Sequence, residues 1–219
     1  MTQQHPFTIA AFDFDGTITK RDALVSFLIH SFGLSTTLYK GICLVPAFLN
    51  YLFNRLTRQQ IKETILTAYF KGIPEEHMQQ LAQTFSTSKG LQRLLRPEAL
   101  RRIYWHRSQG HHLFIVSAAI QNYLSPWAKS MGFEDVIASR LEITPQGTIT
   151  GHLNGLNCWG PEKVRRLKEV LGSKENWILY AYGDSRGDKE LLEFAIPGDQ
   201  ARYFVEHRDA IAHVLEGDA

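Results

Sequence analysis

The sequence predicts an α/β fold, a doubly wound parallel sheet with an all-helical domain inserted in it. Three observations lead there. Four short apolar runs, each ending in polar residues, recur along the chain at Phe7–Phe14, His112–Ser117, Trp177–Tyr182 and Ala201–Val205. Helical patterns separate them, as expected of strand-helix-strand units packed into one sheet. Between the first two runs lies an interval of about ninety residues, far longer than one crossover needs and helical in pattern almost throughout. With 219 residues and 44% hydrophobic content, the chain can bury a full core and carry a smaller appended unit.

Taken in order, Phe7–Phe14 reads as a buried strand that delivers carboxylates to its C-terminal end, where open parallel sheets hold ligands. Asp22–Phe32 then sets Leu24, Phe27, Leu28 and Phe32 on one helical face, with Gly33 as the stop. Thr57 and Gln60 make a capping box for a helix carrying Ile61, Ile65, Ala68 and Tyr69, stopped by Gly72. Pro74 opens a further helix. These patterns assign residues 20–88 to a helical cap domain, and residues 1–19 and 89–219 to a Rossmann-like core. Pro97 and Gly110 bound the helix before the second strand. Glu142–Leu153 alternates around Pro145, Gln146 and Gly147, which predicts a β-hairpin. Pro161 opens a helix with Lys163 in its first turn. There is no internal repeat and no low-complexity tract.

The 24 basic and 22 acidic residues are well mixed, net +2, with no Lys/Arg run longer than two. That argues against nucleic acid as a partner, and no protein partner is predicted. The cysteines are Cys43 and Cys158, without the spacing of a metal knuckle or a disulfide scaffold, so a reducing compartment fits. The first residues lack the basic region of a signal peptide, and the expected location is cytoplasmic.

The sharpest chemical feature is Asp13-Phe14-Asp15-Gly16-Thr17 at the end of the first strand. Carboxylates at i and i+2 of a continuing strand point the same way and share one small site. Their nearness raises the cost of ionising both, which keeps one available as a proton carrier, while a divalent cation would hold the other ionised. The pair suits a nucleophile, Asp13, with a general acid and base, Asp15. Gly16 lets the chain turn with exposed amides that can hold phosphate oxygens. A solvated acidic turn is the plain alternative. Against it stand Ser117 after the second strand, Lys163 at a helix start, and Gly183-Asp184-Ser185-Arg186-Gly187-Asp188 after the third.

These four clusters, in this order and in these contexts, strongly resemble the haloacid dehalogenase superfamily, whose motifs are a DxDGT loop, a Ser or Thr, a Lys or Arg, and a paired-acid loop. The helical insert resembles the cap of its phosphoserine phosphatase-like subfamily, IB. The segments Ile115-Val116-Ser117-Ala118-Ala119, Gly160-Pro161-Glu162-Lys163-Val164 and Tyr180-Ala181-Tyr182-Gly183-Asp184-Ser185 are similar to subfamily IB hydrolases of the phosphatidylglycerophosphatase C type. The resemblance implies a Mg²⁺-dependent phosphatase acting on a phosphate monoester through an aspartyl-phosphate on Asp13. It implies that Asp13, the backbone carbonyl of Asp15, and Asp184 hold the metal, that Ser117, Lys163 and Gly16 bind the phosphate, and that Asp188 positions Lys163. Dehalogenases lack the second Asp, so Asp15 favours phosphoryl transfer. A membrane phospholipid monophosphate such as phosphatidylglycerophosphate is the expected substrate. A small amino-alcohol phosphate such as phosphoserine is the runner-up, and a non-catalytic lipid-surface binding protein is a third reading.

Asp22 lies where phosphoserine phosphatases carry an acid that meets the substrate amine, and equally suits an N-cap for the first cap helix. The most apolar window, Gly41–Phe53, is flanked by Lys40 and Arg55 and interrupted by Pro46. Its helical reach of about 20 Å falls short of a membrane's roughly 30 Å core. A buried cap helix is the preferred reading, and a peripheral membrane contact that gathers a lipid substrate is the other. His106, His111 and His112 read as surface residues. Arg186 either reaches the substrate or sits in solvent.

Overall fold

The computed structural model describes residues 7–172 and 177–195. The described strands are β1 (Phe7–Phe12), β2 (His112–Ile120), β3 (Asp135–Ser139), β4 (Leu141–Ile143), β5 (Ile149–Leu153) and β6 (Trp177–Tyr182). Four of them form one parallel sheet in the order β3-β2-β1-β6, and β4 pairs antiparallel with β5 as the expected hairpin. The expected strand Ala201–Val205 lies outside the described residues. β3 is a strand the sequence reading missed. Its apolar run, Val136–Ala138, is too short to stand out, and its place is fixed by pairing with Phe114–Ser117 of β2.

Because β1 lies between two parallel partners, its residues must be apolar on both faces. Ile9, Ala10 and Ala11 are fully buried. Ala10 and Phe12 join one apolar cluster, and Ile9 and Ala11 join another on the opposite side of the sheet. The sheet is therefore covered on both faces.

Between β1 and β2 run α1 (Leu24–Phe32), α2 (Leu34–Cys43), α3 (Val45–Leu52), α4 (Arg58–Phe70), α5 (Glu75–Ser86), α6 (Lys89–Leu94) and α7 (Pro97–Ser108). The later helices are α8 (Gln121–Met131), α9 (Pro161–Leu171) and α10 (Lys189–Phe194). Thr57 and Gln60 make the capping box of α4 in both directions. Phe27 of α1 stacks with Phe70 of α4 and Tyr123 of α8 and meets the edge of Phe85 of α5, so aromatic packing ties the helical insert to α8, the helix that follows β2.

Two expectations are corrected. His106 is fully buried, because α7 turns Ala99, Arg102, Ile103 and His106, spaced at helical period, inward. Its Nε2 bonds the Tyr182 hydroxyl at 2.8 Å and its Nδ1 meets His111 Nδ1 at 2.7 Å. Burial, then the charges of Arg102 and His111, lower its pKa to about 2. The second correction concerns Gly41–Phe53, which is no buried helix. It is split at Leu44, Pro46 falls in the first turn of α3, and α3 buries none of its residues. Among the described residues, no helix is long and apolar enough to cross a membrane.

Candidate active site

The sheet order reverses at β1, with β2 and β3 on one side and β6 on the other, so a crevice opens beyond the C-terminal ends of these strands. Asp13 leaves β1 still extended, and its N–H donates to the Tyr182 carbonyl at the end of β6, 2.8 Å away. The chain then makes one wide turn over Phe14–Ile18, closed by the Thr19 N–H donating to the Phe14 carbonyl. Gly16 sits in it at φ +88°, and a Cβ there would lie 2.2 Å from an Asp184 oxygen. Only glycine satisfies both the backbone and the approach of Asp184.

Lys163 stands in the first turn of α9, and its side chain is 2% exposed. Its Nζ donates to Asp13 Oδ1 at 2.7 Å and to Asp188 Oδ1 at 2.5 Å. Burial works against the Lys163 charge, but the two carboxylates prevail and hold its pKa above the usual lysine value. The other oxygen of Asp188 accepts from the Asp184 and Ser185 amides and the Ser185 hydroxyl, which fixes the loop after β6. Burial pushes Asp13 up to about 6, with Lys163 opposing and Asp188 adding. Asp15 is raised well above the ordinary carboxylate value by burial and then by Asp22, while its Oδ1 accepts the Ala23 N–H at 2.8 Å. Asp184 is raised by burial and then by Asp188.

A pocket of about 170 Å³ is lined by Asp13, Asp15, Asp22, Lys62, Ser117 and Lys163, with Leu66, Tyr123 and Trp159 among its walls. Ser117 enters from β2 just before the register shift between Ser117 and Ile120. Asp22 does two things at once: its Oδ1 caps the Leu24 N–H at 2.7 Å, and it borders the pocket. Arg186 is exposed.

Lys62 of α4 escaped the sequence reading. Its Nζ donates to the Ala118 carbonyl and to Asn157 Oδ1, each at 2.5 Å, and burial lowers its pKa to about 8 against the pull of Asp15 and Asp22. Nothing local marks it, since a lysine next to Ile61 is ordinary helix sequence. Only the docking of α4 beside the end of β2 brings it to the site.

Carboxylate oxygens of Asp13, Asp184 and Asp188 lie within 4.8 Å of one another. An all-oxygen set suits a hard cation such as Mg²⁺, and burial first, then the charge of Asp188, raises the pKa values of Asp13 and Asp184, a cost that a bound cation would offset. Asp188 is already held by Lys163 and the loop amides, which leaves Asp13 and Asp184 as the carboxylates suited to a metal.

A parallel sheet with buried acids, a buried lysine and a glycine turn at its C-terminal edge is the frame of a hydrolase that binds an oxyanion. The chain belongs to the haloacid dehalogenase-like hydrolase family, which it matches over residues 10–193. It is 34% identical over 191 residues to the protein CicA of Caulobacter vibrioides, covering 87% of this chain and 84% of that one. Among solved structures, a protein of unknown function from Bordetella pertussis Tohama I superposes with a TM-score of 0.71 at 22% identity, covering 86% of this chain and 87% of that one. A phosphoserine phosphatase solved as a phospho-aspartyl intermediate analogue gives 0.54 at 16% identity, covering 88% and 84%.

Proposed function

We propose that the chain is a phosphomonoester hydrolase that works through an aspartyl-phosphate on Asp13. The observation that carries this reading is the Lys163 ammonium 2.7 Å from Asp13 in a pocket that also holds Asp15 and Ser117. A carboxylate cannot approach a phosphate dianion unless positive charge is fixed beside both, and Lys163 is fixed by two carboxylates. Asp13 and Asp184, with the backbone carbonyl of Asp15, would hold Mg²⁺, which supplies further positive charge against the phosphate oxygens.

In the first step an Asp13 oxygen bonds to phosphorus, the bond from phosphorus to the leaving oxygen breaks, and protonated Asp15 gives that oxygen its proton. The burial that raises the Asp15 pKa favours this protonated state. In the second step Asp15, now a carboxylate, takes a proton from the water that attacks phosphorus, and the link to Asp13 breaks to release phosphate. The Ser117 hydroxyl and the amides of the Gly16 turn hold the phosphate oxygens, and Asp188 keeps Lys163 in position.

In this reading residues 20–88 act as a cap over a core of residues 1–19 and 89–219, at work in the cytoplasm on the inner face of the membrane. A phospholipid monophosphate such as phosphatidylglycerophosphate is the preferred substrate, supported by the exposed apolar side chains of residues 41–53. A specific observation favours the runner-up as well. Asp22 and Lys62, of opposite charge, both line the small pocket and suit an amino-alcohol phosphate such as phosphoserine.

The test is phosphate release by the purified chain from an aryl phosphate with Mg²⁺, then with EDTA, followed by a panel of detergent-dispersed lipid and soluble phosphates. Mg²⁺-dependent release is expected, with preference for the lipid. Preference for phosphoserine-like substrates, lost in Asp22→Ala, selects the runner-up. No release under either condition rejects the hydrolase.

A further inference from the structure

The strongest feature outside the site is a stripe of apolar side chains facing solvent. α2 and α3 are separated by Leu44 alone, whose backbone is itself helical at φ −87° and ψ −6°. Its N–H donates to the Lys40 carbonyl and its carbonyl accepts from Phe48, so helical hydrogen bonds bridge the junction although Pro46 brings no N–H to it. Leu34, Leu38, Ile42, Val45, Leu49 and Leu52 follow one another at intervals of three and four residues. At about 3.6 residues per turn they form one line over five turns. Each of the six is between 46% and 71% exposed. Tyr39, Phe48 and Phe53, at 70%, 52% and 71%, widen the line. Of fourteen large apolar side chains exposed among the described residues, eleven fall between Val25 and Phe53. Scattered exposed leucines need no explanation, but a contiguous apolar face does.

Charge identifies what covers this face. The chain carries 22 acidic residues in 219, yet from Ala23 through Lys62 there is none. Lys40, Arg55, Arg58 and Lys62 fall within that stretch. Lys40 is turned inward, donating to the Ala68 carbonyl at 2.6 Å over the ring of Tyr69. Arg55 and Arg58, just beyond the C-terminal end of the stripe, are exposed. If two copies met through this face, neither would offer an acid from the same stretch to pair the other's cations. An anionic lipid surface supplies both partners this face lacks, acyl chains for the stripe and phosphates for the arginines. One flank of α2, about 90° around the helix from the stripe, is committed to the protein. Thr37 is buried there, and its carbonyl accepts the Tyr69 hydroxyl of α4 at 2.8 Å. The stripe therefore lies along the protein surface, as a helix resting in a membrane interface does.

We propose that the α2–α3 face is a docking surface for an anionic lipid bilayer, with the stripe set at the boundary of headgroups and acyl chains and Arg55 and Arg58 against the phosphates. The surface ends close to the active site. The Arg58 guanidinium lies 4.7 Å from the ring centre of Trp159, and Trp159 borders the catalytic pocket. A lipid phosphate drawn from the bilayer would enter along that edge, and this one consequence rests on the phosphatase reading. The docking itself does not.

The experiment is co-sedimentation of the full chain with vesicles of phosphatidylglycerol and phosphatidylcholine, against vesicles of phosphatidylcholine alone. Binding about tenfold tighter to the anionic vesicles is expected, weakening as salt rises. The double variant Ile42→Glu with Phe48→Glu changes exposed positions and is expected to keep its thermal melt and its rate on an aryl phosphate, while losing about tenfold or more in vesicle binding. Equal binding by the two proteins, or no binding by either, overturns the proposal. So does a concentration-dependent dimer that the double variant abolishes without any vesicle binding, which would make a second copy the occupant. Stripe-dependent vesicle binding by a chain that releases no phosphate upholds the docking surface and rejects only the phosphatase reading.

Discussion

The active site and the α2–α3 face break the ordinary rule of protein surfaces in opposite directions. At the site, charged side chains are buried: Lys163 at 2%, Asp13 at 5% and Asp188 at 0% exposure. On α2 and α3, large apolar side chains stand in solvent. The first inversion is compensated inside the chain, because Asp13 and Asp188 both reach the Lys163 ammonium and the loop amides satisfy what remains of Asp188. The second has no compensation among the described residues. A buried charge network marks a place where the protein acts on a small charged molecule. The apolar stripe, uncovered among the described residues, is the place where we propose that a lipid surface docks.

Four measurements sharpen or break that contrast. The largest effect belongs to Asp13→Asn, which removes the proposed nucleophile at nearly constant shape. Phosphate release should fall by about a thousandfold or more while circular dichroism stays native. Retained turnover would remove Asp13 from its role. Lys163→Met comes next. It leaves two carboxylates buried without their cation, and urea unfolding should show a loss of about 3–5 kcal/mol along with lost activity. A loss below about 1 kcal/mol would mean that water already solvates the site.

The third is a matched pair of phenylalanines. Phe27→Ala removes a ring packed against Phe70, Phe85 and Tyr123 and should cost about 3–5 kcal/mol. Phe48→Ala removes an exposed ring and should stay within about 0.5 kcal/mol in the free protein. Similar losses for both would mean that the stripe is covered in solution.

The smallest concerns pH. Hydrogen bonds from Arg165, and then from Arg166, outweigh burial and lower the Glu162 pKa from 4.5 to about 2. A carboxylate with a depressed folded pKa contributes stability that is present above the unfolded value, near pH 4.5, and is lost as pH falls through about 2. Arg165 is half exposed, so solvent screens the contribution and keeps it small. Glu162→Gln should lower the melting temperature slightly at neutral pH and flatten its fall between those limits. An unchanged slope would remove the pair from the acid response.

Much of this was legible in the sequence because the signals are local. A buried strand ending in Asp13 and Asp15, the capping box of Thr57 and Gln60, and the hairpin turn at Gly147 each follow from propensities and spacings within a few residues. His106 was read as a surface residue, although its helical spacing with Ala99, Arg102 and Ile103 marks one inward face. β3, Lys62 and the exposure of α3 were not legible. β3 is held by its neighbour β2, and Lys62 becomes a pocket residue only because α4 docks against Ala118 near the end of β2 and against Asn157.

By itself, the sequence determined the alternation of strands and helices, the family, and the order in which the polar clusters leave the sheet. Periodicity, turn chemistry and strand-end carboxylates are properties of short segments. Tertiary structure alone decided that Lys163 bridges Asp13 and Asp188, that Asp22 both caps a helix and borders the pocket, and that the apolar window faces outward. An apolar helix carries the same pattern whether the core or a membrane covers it, and the difference lies in what the rest of the chain leaves room to bury.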